Sequence, residues 1–119
     1  MNDSALTEYL AEIIDRSQRG DIFWTQPNPS TYQWNEVAKE KHFVVTIQKA
    51  SAQKLKGLSF EEEVSYLFQV VDKSNKQTLL SLSSKERPEF SKILGGIYRG
   101  AELGMDLRAS SILQELLRR

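Results

Sequence analysis

The sequence predicts an α+β fold with an N-terminal helix, a five-stranded antiparallel meander, and a long C-terminal helix or helix pair packed on the sheet. Both ends of the chain space their apolar residues as helices do, and the middle alternates with a period of two. Strands and helices do not alternate along the chain, which argues against a parallel sheet. With 119 residues, we expect one domain over residues 1–119, because a second would be too small to keep a dry core.

The first helix is predicted to begin near Ser4 and to end at Gly20. Ser4 is a suitable N-cap, and Arg16 and Arg19 place cations near the negative end of the helix dipole. Gly20 can adopt the left-handed conformation that ends many helices. One face should be buried, and its apolar residues are Leu6, Tyr9, Leu10, Ile13 and Ile14.

The first three strands are predicted before residue 49. Residues 22–25 and 31–34 are aromatic and β-branched and flank two prolines, so we expect a short hairpin. Residues 35–41 are polar and fit either a helical turn or a loop. Residues 43–48 alternate with a period of two, which indicates a third strand with one face more buried than the other.

A long connection and a second hairpin follow. Residues 50–60 have no clear period, and we expect a mobile connection there. Residues 64–71 alternate again, residues 72–76 are typical of a turn, and Leu80 and Leu82 continue the pattern beyond it. These features predict two further, longer strands.

The last third of the chain is predicted to be helical. Ser83 and Glu86 have the spacing of a capping box, and Pro88 suits a first helical turn. The pattern allows a break near residues 106–111, so one helix and a helix pair both stay open. The apolar face comprises Phe90, Ile93, Leu94, Ile97, Tyr98 and Ala101, followed by Ile112, Leu113, Leu116 and Leu117.

Composition excludes several classes of protein. Lys and Arg total 16 and Asp and Glu total 16, giving a formal net charge of +0, so we expect no whole-molecule attraction to polyanions. The chain has no cysteine and one histidine, His42, which excludes disulfides and thiolate or multi-histidine metal sites within one chain. We expect no cofactor and no metal. The polar residues 1–4 and the lack of a long apolar run predict a cytoplasmic protein with no membrane contact.

Three glycines, Gly96, Gly100 and Gly104, recur every four residues and so share one face of the C-terminal helix. Each costs about 1 kcal/mol relative to alanine inside a helix, which implies that another backbone approaches closely. We favour packing within the chain; the alternative is a twofold dimer in which two copies of the helix cross. The residues of this hypothetical interface are Gly96, Gly100, Gly104, Ile97, Ala101, Met105, Ile112 and Leu116.

An aromatic surface around the first hairpin is the second hypothesis. Trp24, Tyr32 and Trp34 crowd short strands, where cross-strand aromatic pairs commonly serve stability. If the segment that carries Lys54 and Lys56 folds toward them, the surface combines the rings and positive charge that suit single-stranded nucleic acid. We favour a solvated surface with balanced charges, because three glutamates follow directly.

The sequence offers little for catalysis. His42 has no partner motif, and we expect a surface histidine without an assigned role. Residues 61–63 could gather a cation, but alternation in a strand would turn Glu62 away from its neighbours, so we favour a soluble lead-in to the next strand. We therefore expect a non-enzymatic protein-interaction module that self-associates through its C-terminal helix, as a homodimer, or binds another protein. The alternative is single-stranded nucleic-acid binding through the aromatic hairpin and the lysine-rich segment.

Overall fold

The computed structural model describes residues 1–119 and confirms the predicted α+β class. The strands form one antiparallel five-stranded sheet whose spatial order equals their order along the chain, as expected of strands joined by short hairpins. The elements are α1 (Asp3–Gln18), β1 (Trp24–Asn28), β2 (Thr31–Ala38), β3 (Lys41–Lys56), β4 (Ser59–Asp72), β5 (Gln77–Ser83), a 3-10 turn (Pro88–Phe90) and α2 (Ser91–Leu117).

The two helices lie side by side and run in the same direction. Arg87, just before α2, donates to both carboxylate oxygens of Asp3 in α1, at 2.7 and 3.4 Å, and this contact lowers the pKa of Asp3. At the other end, Gly104 of α2 lies against Ser17 of α1. The chain leaves α1 through Gly20, whose φ of +78 is the predicted left-handed conformation. α2 also contacts β4, β3, β2 and β1, so it crosses the sheet toward the edge strand β1.

One hydrophobic cluster joins the helices to one face of the sheet. Ile47 of β3 and Phe68 of β4 face each other across the strand pair and are almost fully buried, as is Leu94 of α2. The period of two in residues 43–48 and 64–71 therefore reflects strands with one covered face.

A buried hydrogen bond joins α1 to β1. Trp24 has no exposed surface, and its indole Nε1 donates to Oγ of the equally buried Ser17 at 2.9 Å. A buried indole N–H needs an acceptor, and Ser17 is the acceptor that α1 supplies. This bond holds the edge strand to the end of α1.

Both helices begin at different residues from those expected. Asn2, not Ser4, caps α1, because its Oδ1 accepts from the Ala5 N–H at 2.8 Å. Ser83 ends β5, and its hydroxyl accepts from the Lys85 N–H at 3.2 Å within a turn. The expected capping box is therefore wrong, since its first residue serves the turn after the strand.

α2 is one continuous helix of 27 residues, which decides between one helix and two. Pro88 opens the 3-10 turn that leads into it, as its fixed φ favours. Residues 106–111 contain neither glycine nor proline, so they hold no helix-breaking residue.

The mobile connection predicted over residues 50–60 is wrong. These residues belong to a paired two-stranded segment, residues 50–64, that we call the β-arm. β3 and β4 stay paired as far as a two-residue turn of Gly57 and Leu58. Gly57 has φ +65 at the first central position, as a type II′ turn requires. Most of the β-arm is exposed, so its sequence lacks the alternation that marks a half-buried strand.

The glutamates of the β-arm alternate between its faces, as predicted. Glu61 and Glu63 pair diagonally with Lys56 and Lys54 at N–O distances of 3.3 and 3.7 Å. Glu62 pairs in register with Gln53 and points to the opposite face. These ion pairs are exposed, so each contributes little to stability.

Residues 35–41, for which the sequence suggested a helical turn or a loop, are mostly strand: β2 runs to Ala38, β3 begins at Lys41, and a tight turn joins them. Ala38 pairs with Lys41, so Lys39 and Glu40 form a two-residue loop, and their φ values are 51 and 63. Positive φ at both central residues is the mark of a type I′ turn. Such turns usually hold Asn or Gly, because other side chains strain a left-handed backbone.

Candidate interaction surface

The glycine stripe of α2 lies against α1. A Cβ added to Gly96 would lie 2.9 Å from Cδ1 of Ile14, and one added to Gly100 would lie 3.2 Å from Cβ of Ser17. A Cβ added to Gly104 would lie 2.5 Å from the Ser17 carbonyl oxygen, which is backbone. The close approach that the glycines imply is therefore made within the chain.

Most residues of the hypothetical dimer interface are consequently covered. Ile97 and Ala101 have no exposed surface, and Gly100 and Gly104 are buried against α1. Met105 is half-buried and packs against the core. A surface for a second copy cannot be centred on these residues, and this corrects the interface drawn from the sequence. Of the three remaining members, Gly96 is half-buried against Ile14 of α1, and Ile112 and Leu116 are exposed.

Beyond Arg108, α2 leaves the sheet. Every residue from 109 to 117 is exposed, and we call this segment the overhang. Its four large apolar residues have exposed fractions of 55% to 84% and are Ile112, Leu113, Leu116 and Leu117. Exposed apolar groups of this kind are candidate interaction surfaces.

Two features of the edge strand β1 oppose the addition of a further strand. The guanidinium of Arg108 donates to the backbone oxygen of Trp24 and stacks on the exposed ring of Phe23, with 3.7 Å from Cζ to the ring centre. Its Nε and Nη1 are buried without a hydrogen-bond partner. Pro27 removes one donor from the same strand. These features make the backbone of β1 a poor template for a further strand.

Two further leucines are exposed on the side of α2 turned away from the core. Leu103 and Leu107 have exposed fractions of 41% and 51%. Sequence reasoning missed them because it assigned the apolar face of the helix to the core. The sequence feature that could have identified them is their position on the opposite side of the helix from Leu94 and Ala101.

A groove runs between α1 and α2 on the same outer side. Its volume is about 670 Å³, and its apolar lining includes Ile14, Phe90 and Ile93, with Gly96 between them. We call it the helix groove. It lies near the start of α2, at the opposite end of that helix from the overhang.

The aromatic surface expected around the first hairpin is not assembled. Trp24 is fully buried and Tyr32 is 4% exposed, so neither ring is available to a nucleic-acid base. Trp34 stacks edge-on against Trp24 at 5.9 Å between ring centres. Lys54 and Lys56 lie on the β-arm and are paired with glutamates. The lysines follow β3 away from the hairpin, which separates the two halves of the expected surface.

A different cleft brings cations and tyrosines together. It measures about 460 Å³ and lies between α2 and the base of the β-arm. Nζ of Lys49 lies 5.8 Å from the ring centre of Tyr98, which also stacks against Tyr66 at 5.9 Å. Neither Lys49 nor Arg99 has a carboxylate within 4 Å, although Glu102 lines the same cleft.

Tyr32 lies behind this cleft and titrates unusually. Its ring stacks edge-on against Tyr98 at 5.0 Å. Burial, with the neighbouring carboxylates Glu102 and Asp106 and the phenol of Tyr98, raises the pKa of Tyr32 to about 12. Because Tyr32 is buried, it contributes to the cleft only through its ring contact with Tyr98.

No group of three or more His, Cys, Asp or Glu side chains is placed to hold a metal ion. His42 begins β3 and lines none of the cavities. Neither helix is both long and apolar enough to span a bilayer.

No protein-family model matches the chain, and no curated protein or solved structure matches it.

Proposed function

We propose that this protein is a non-enzymatic interaction module that self-associates through the outer face and the overhang of α2. The observation that carries the proposal is the overhang, in which four large apolar residues stand uncovered. Isolated helices shorter than about 12–15 residues are marginal in water. Covering the overhang would therefore stabilise its helical conformation. It would also remove apolar surface from water, which contributes a favourable free energy of about 25 cal/mol for each Å² buried.

The oligomeric state tests this proposal. We expect the mass measured by light scattering or sedimentation to rise from 13.6 kDa toward twice that value as concentration increases, because association follows mass action. The variant L113E/L117E should remain monomeric, since it places two charges in the apolar group.

The matched control is Leu58→Glu at the tip of the β-arm, which is fully exposed and lies outside the proposed surface. It should associate as the unmodified chain does. A chain that stays monomeric at every accessible concentration would contradict self-association. Equal loss of association in L58E and in L113E/L117E would instead show that any exposed leucine suffices, and that the overhang is not the site.

A second candidate is the binding of an anionic, nucleic-acid-like ligand in the cleft of Lys49 and Arg99. The observation that favours it is the pair of cations without carboxylate partners beside two tyrosine rings. We expect Lys49→Glu to abolish the anisotropy change of a labelled single-stranded oligonucleotide at low salt, where phosphate contacts are strongest. Lys85→Glu, an exposed lysine outside this cleft, should change nothing. No binding by the unmodified chain at low salt would remove this candidate.

A further inference from the structure

We infer that the β-arm binds an acidic segment of another protein, which adds as a further strand beside residues 50–56 of β3. We call this stretch the β3 edge. The surface and the partner both differ from those of the proposed self-association, so neither depends on the other. Three features of the chain support the β3 edge as a binding site: its free backbone, the charges of the β-arm and the cations at its base.

The backbone of the β3 edge lacks a neighbour on one side. β2 pairs with β3 only up to Gln48, after which the Lys49 N–H donates to the Ser30 oxygen at 2.9 Å. Backbone groups of a strand point alternately to its two sides. On the side of the Lys49 N–H, the residues that present their N–H and C=O groups are Ser51, Gln53 and Leu55. No strand of the chain occupies that side, and residues 50–56 are all exposed.

The β3 edge also has the length and regularity that an added strand needs. Its seven residues extend over about 23 Å, the length of an ordinary strand. It contains no proline, and its pairing with β4 shows no bulge. The edge strand β1, by contrast, carries Pro27 and the guanidinium of Arg108. Of these two free edges, the β3 edge is therefore the better template for main-chain pairing.

The charges of the β-arm are divided between its two strands. The β3 edge contains Lys54 and Lys56 and no acidic residue, whereas residues 61–63 of β4 are three glutamates. A strand added at the β3 edge lies about 4.8 Å from β3 and about 10 Å from β4, so the lysines are its nearest charges. Lysines on an edge strand oppose pairing with a basic strand and favour an acidic one. The glutamates oppose the same acidic strand at the free edge of β4.

Two cations without carboxylate partners lie at the base of the β3 edge. Lys49 and Arg99 form no ion pair within 4.0 Å, and with Glu102 they leave one net positive charge in the cleft of about 460 Å³. Side chains two residues apart in a strand share a face, so Lys49 lies on the same face as Ser51. A carboxylate on this face of the added strand, near the base, is therefore directed toward the cleft.

These features favour a polypeptide over a nucleic acid at the β3 edge. The free N–H and C=O groups alternate at the spacing of a strand, and only another polypeptide backbone offers matching groups. The cations of the cleft attract either kind of anion. Backbone pairing is thus the property that separates an acidic peptide from the oligonucleotide of the second candidate function.

Amide hydrogen exchange followed by NMR provides the direct test. The probe is a blocked seven-residue peptide of alternating glutamate and valine, added at low salt to the unmodified chain until its binding is saturated. We expect exchange at Ser51, Gln53 and Leu55 to slow by about tenfold or more, because their N–H groups gain acceptors. Exchange at Phe60 and Val64, on the free edge of β4, should stay unchanged. No binding, no protection at the β3 edge, or protection at the β4 edge instead would overturn the inference.

A proline substitution provides an independent test through the dissociation constant of the labelled peptide. Gln53→Pro removes one outward N–H and leaves the bonds to β4 in place, as proline on an edge strand does. We expect the dissociation constant to rise about tenfold or more, because the added strand loses a hydrogen bond and meets the proline ring. The matched control, Phe60→Pro on the free edge of β4, should stay within about threefold of the unmodified chain. Equal effects of Q53P and F60P would contradict binding at the β3 edge.

The charge of the peptide tests the chemistry of the partner. A peptide of alternating lysine and valine should bind at least about tenfold more weakly than the glutamate peptide, and equal binding would refute an acidic partner. The variant L113E/L117E should bind the glutamate peptide as the unmodified chain does. A chain that binds the peptide but never self-associates refutes only the proposed self-association. A chain that self-associates without binding the peptide, or that binds an oligonucleotide in its place, refutes only the inference for the β3 edge.

Discussion

The contact between Gly104 and α1 leads to a prediction about two alanine substitutions on the same helix. Gly104→Ala and Gly96→Ala give the same helix propensity gain, about 1 kcal/mol in each case. They differ in what the new Cβ meets. At Gly104 it lies 2.5 Å from the Ser17 backbone oxygen, about 0.9 Å inside an ordinary contact of 3.4 Å. At Gly96 it lies 2.9 Å from Cδ1 of Ile14, the far end of a half-buried side chain.

The magnitudes follow from these two neighbours. The Ser17 oxygen cannot move alone, because it accepts from the Gly20 N–H at 3.0 Å and belongs to the end of α1. Overpacking a rigid contact costs about 1–3 kcal/mol, and at this distance we take the upper end. Gly104→Ala should therefore lower the free energy of unfolding by about 1–2 kcal/mol. Rotation of Ile14 relieves the contact at Gly96, so Gly96→Ala should range from neutral to about 1 kcal/mol more stable.

Urea unfolding followed by tryptophan fluorescence measures the difference, at one fixed protein concentration because association would add stability. The two variants should differ by about 2 kcal/mol, or roughly 8 °C in Tm for a chain of this size, with unchanged m values. Equal stability of the two variants, or a G104A protein more stable than the unmodified chain, would refute the claim that a backbone contact at Gly104 requires glycine.

Three further predictions concern the core, its titration and one turn. Ser17→Ala should destabilise the fold by about 1–3 kcal/mol in urea unfolding, because it leaves the Trp24 indole N–H buried without an acceptor. Since the pKa of Tyr32 in the folded chain, about 12, exceeds the ordinary tyrosine value of 10.0, its contribution to stability is complete below pH 10 and is lost as pH rises toward 12. Tyr32→Phe should remove that part of the alkaline loss, and absorbance titration should show one tyrosine ionising late. The double variant K39N/E40G should stabilise the β2–β3 turn by about 0.5–1 kcal/mol in thermal unfolding, since both positions require positive φ.

The parts of the fold that sequence reasoning predicted are those in which a pattern reports burial. Residues 43–48 and 64–71 alternate because one side of each strand faces α2 and the core. The pairing of the two strands in the β-arm was not predicted, because its side chains are exposed and their sequence therefore shows no alternation. Its strands are held by backbone hydrogen bonds and a turn at Gly57, and its side chains gain no covered face that would impose a period.

The candidate surface could be predicted only in part. The spacing of Gly96, Gly100 and Gly104 indicated a close neighbour, but it cannot say which helix approaches, since α1 and a second α2 would impose the same demand. The sequence did not identify Leu103 and Leu107 as surface residues, because this assignment requires knowing that the core is complete without their side chains. That knowledge requires the position of α1, which no local pattern supplies.

The overhang and the closed edge of β1 constrain each other. Arg108 occupies the backbone acceptor of Trp24 and stacks on Phe23, and Pro27 removes a donor, so both residues oppose the addition of a strand to β1. α2 nevertheless continues through residues 109–117, whose four large apolar side chains are left exposed by the rest of the chain. For the self-association proposed above, the opposed edge of β1 and the apolar side chains of the overhang favour helix packing over strand pairing at this edge. A self-associated form should therefore retain the β content of the monomer in circular dichroism. A gain in β signal on association would show that β1 opens and that the edge is not blocked as the contacts of Arg108 indicate.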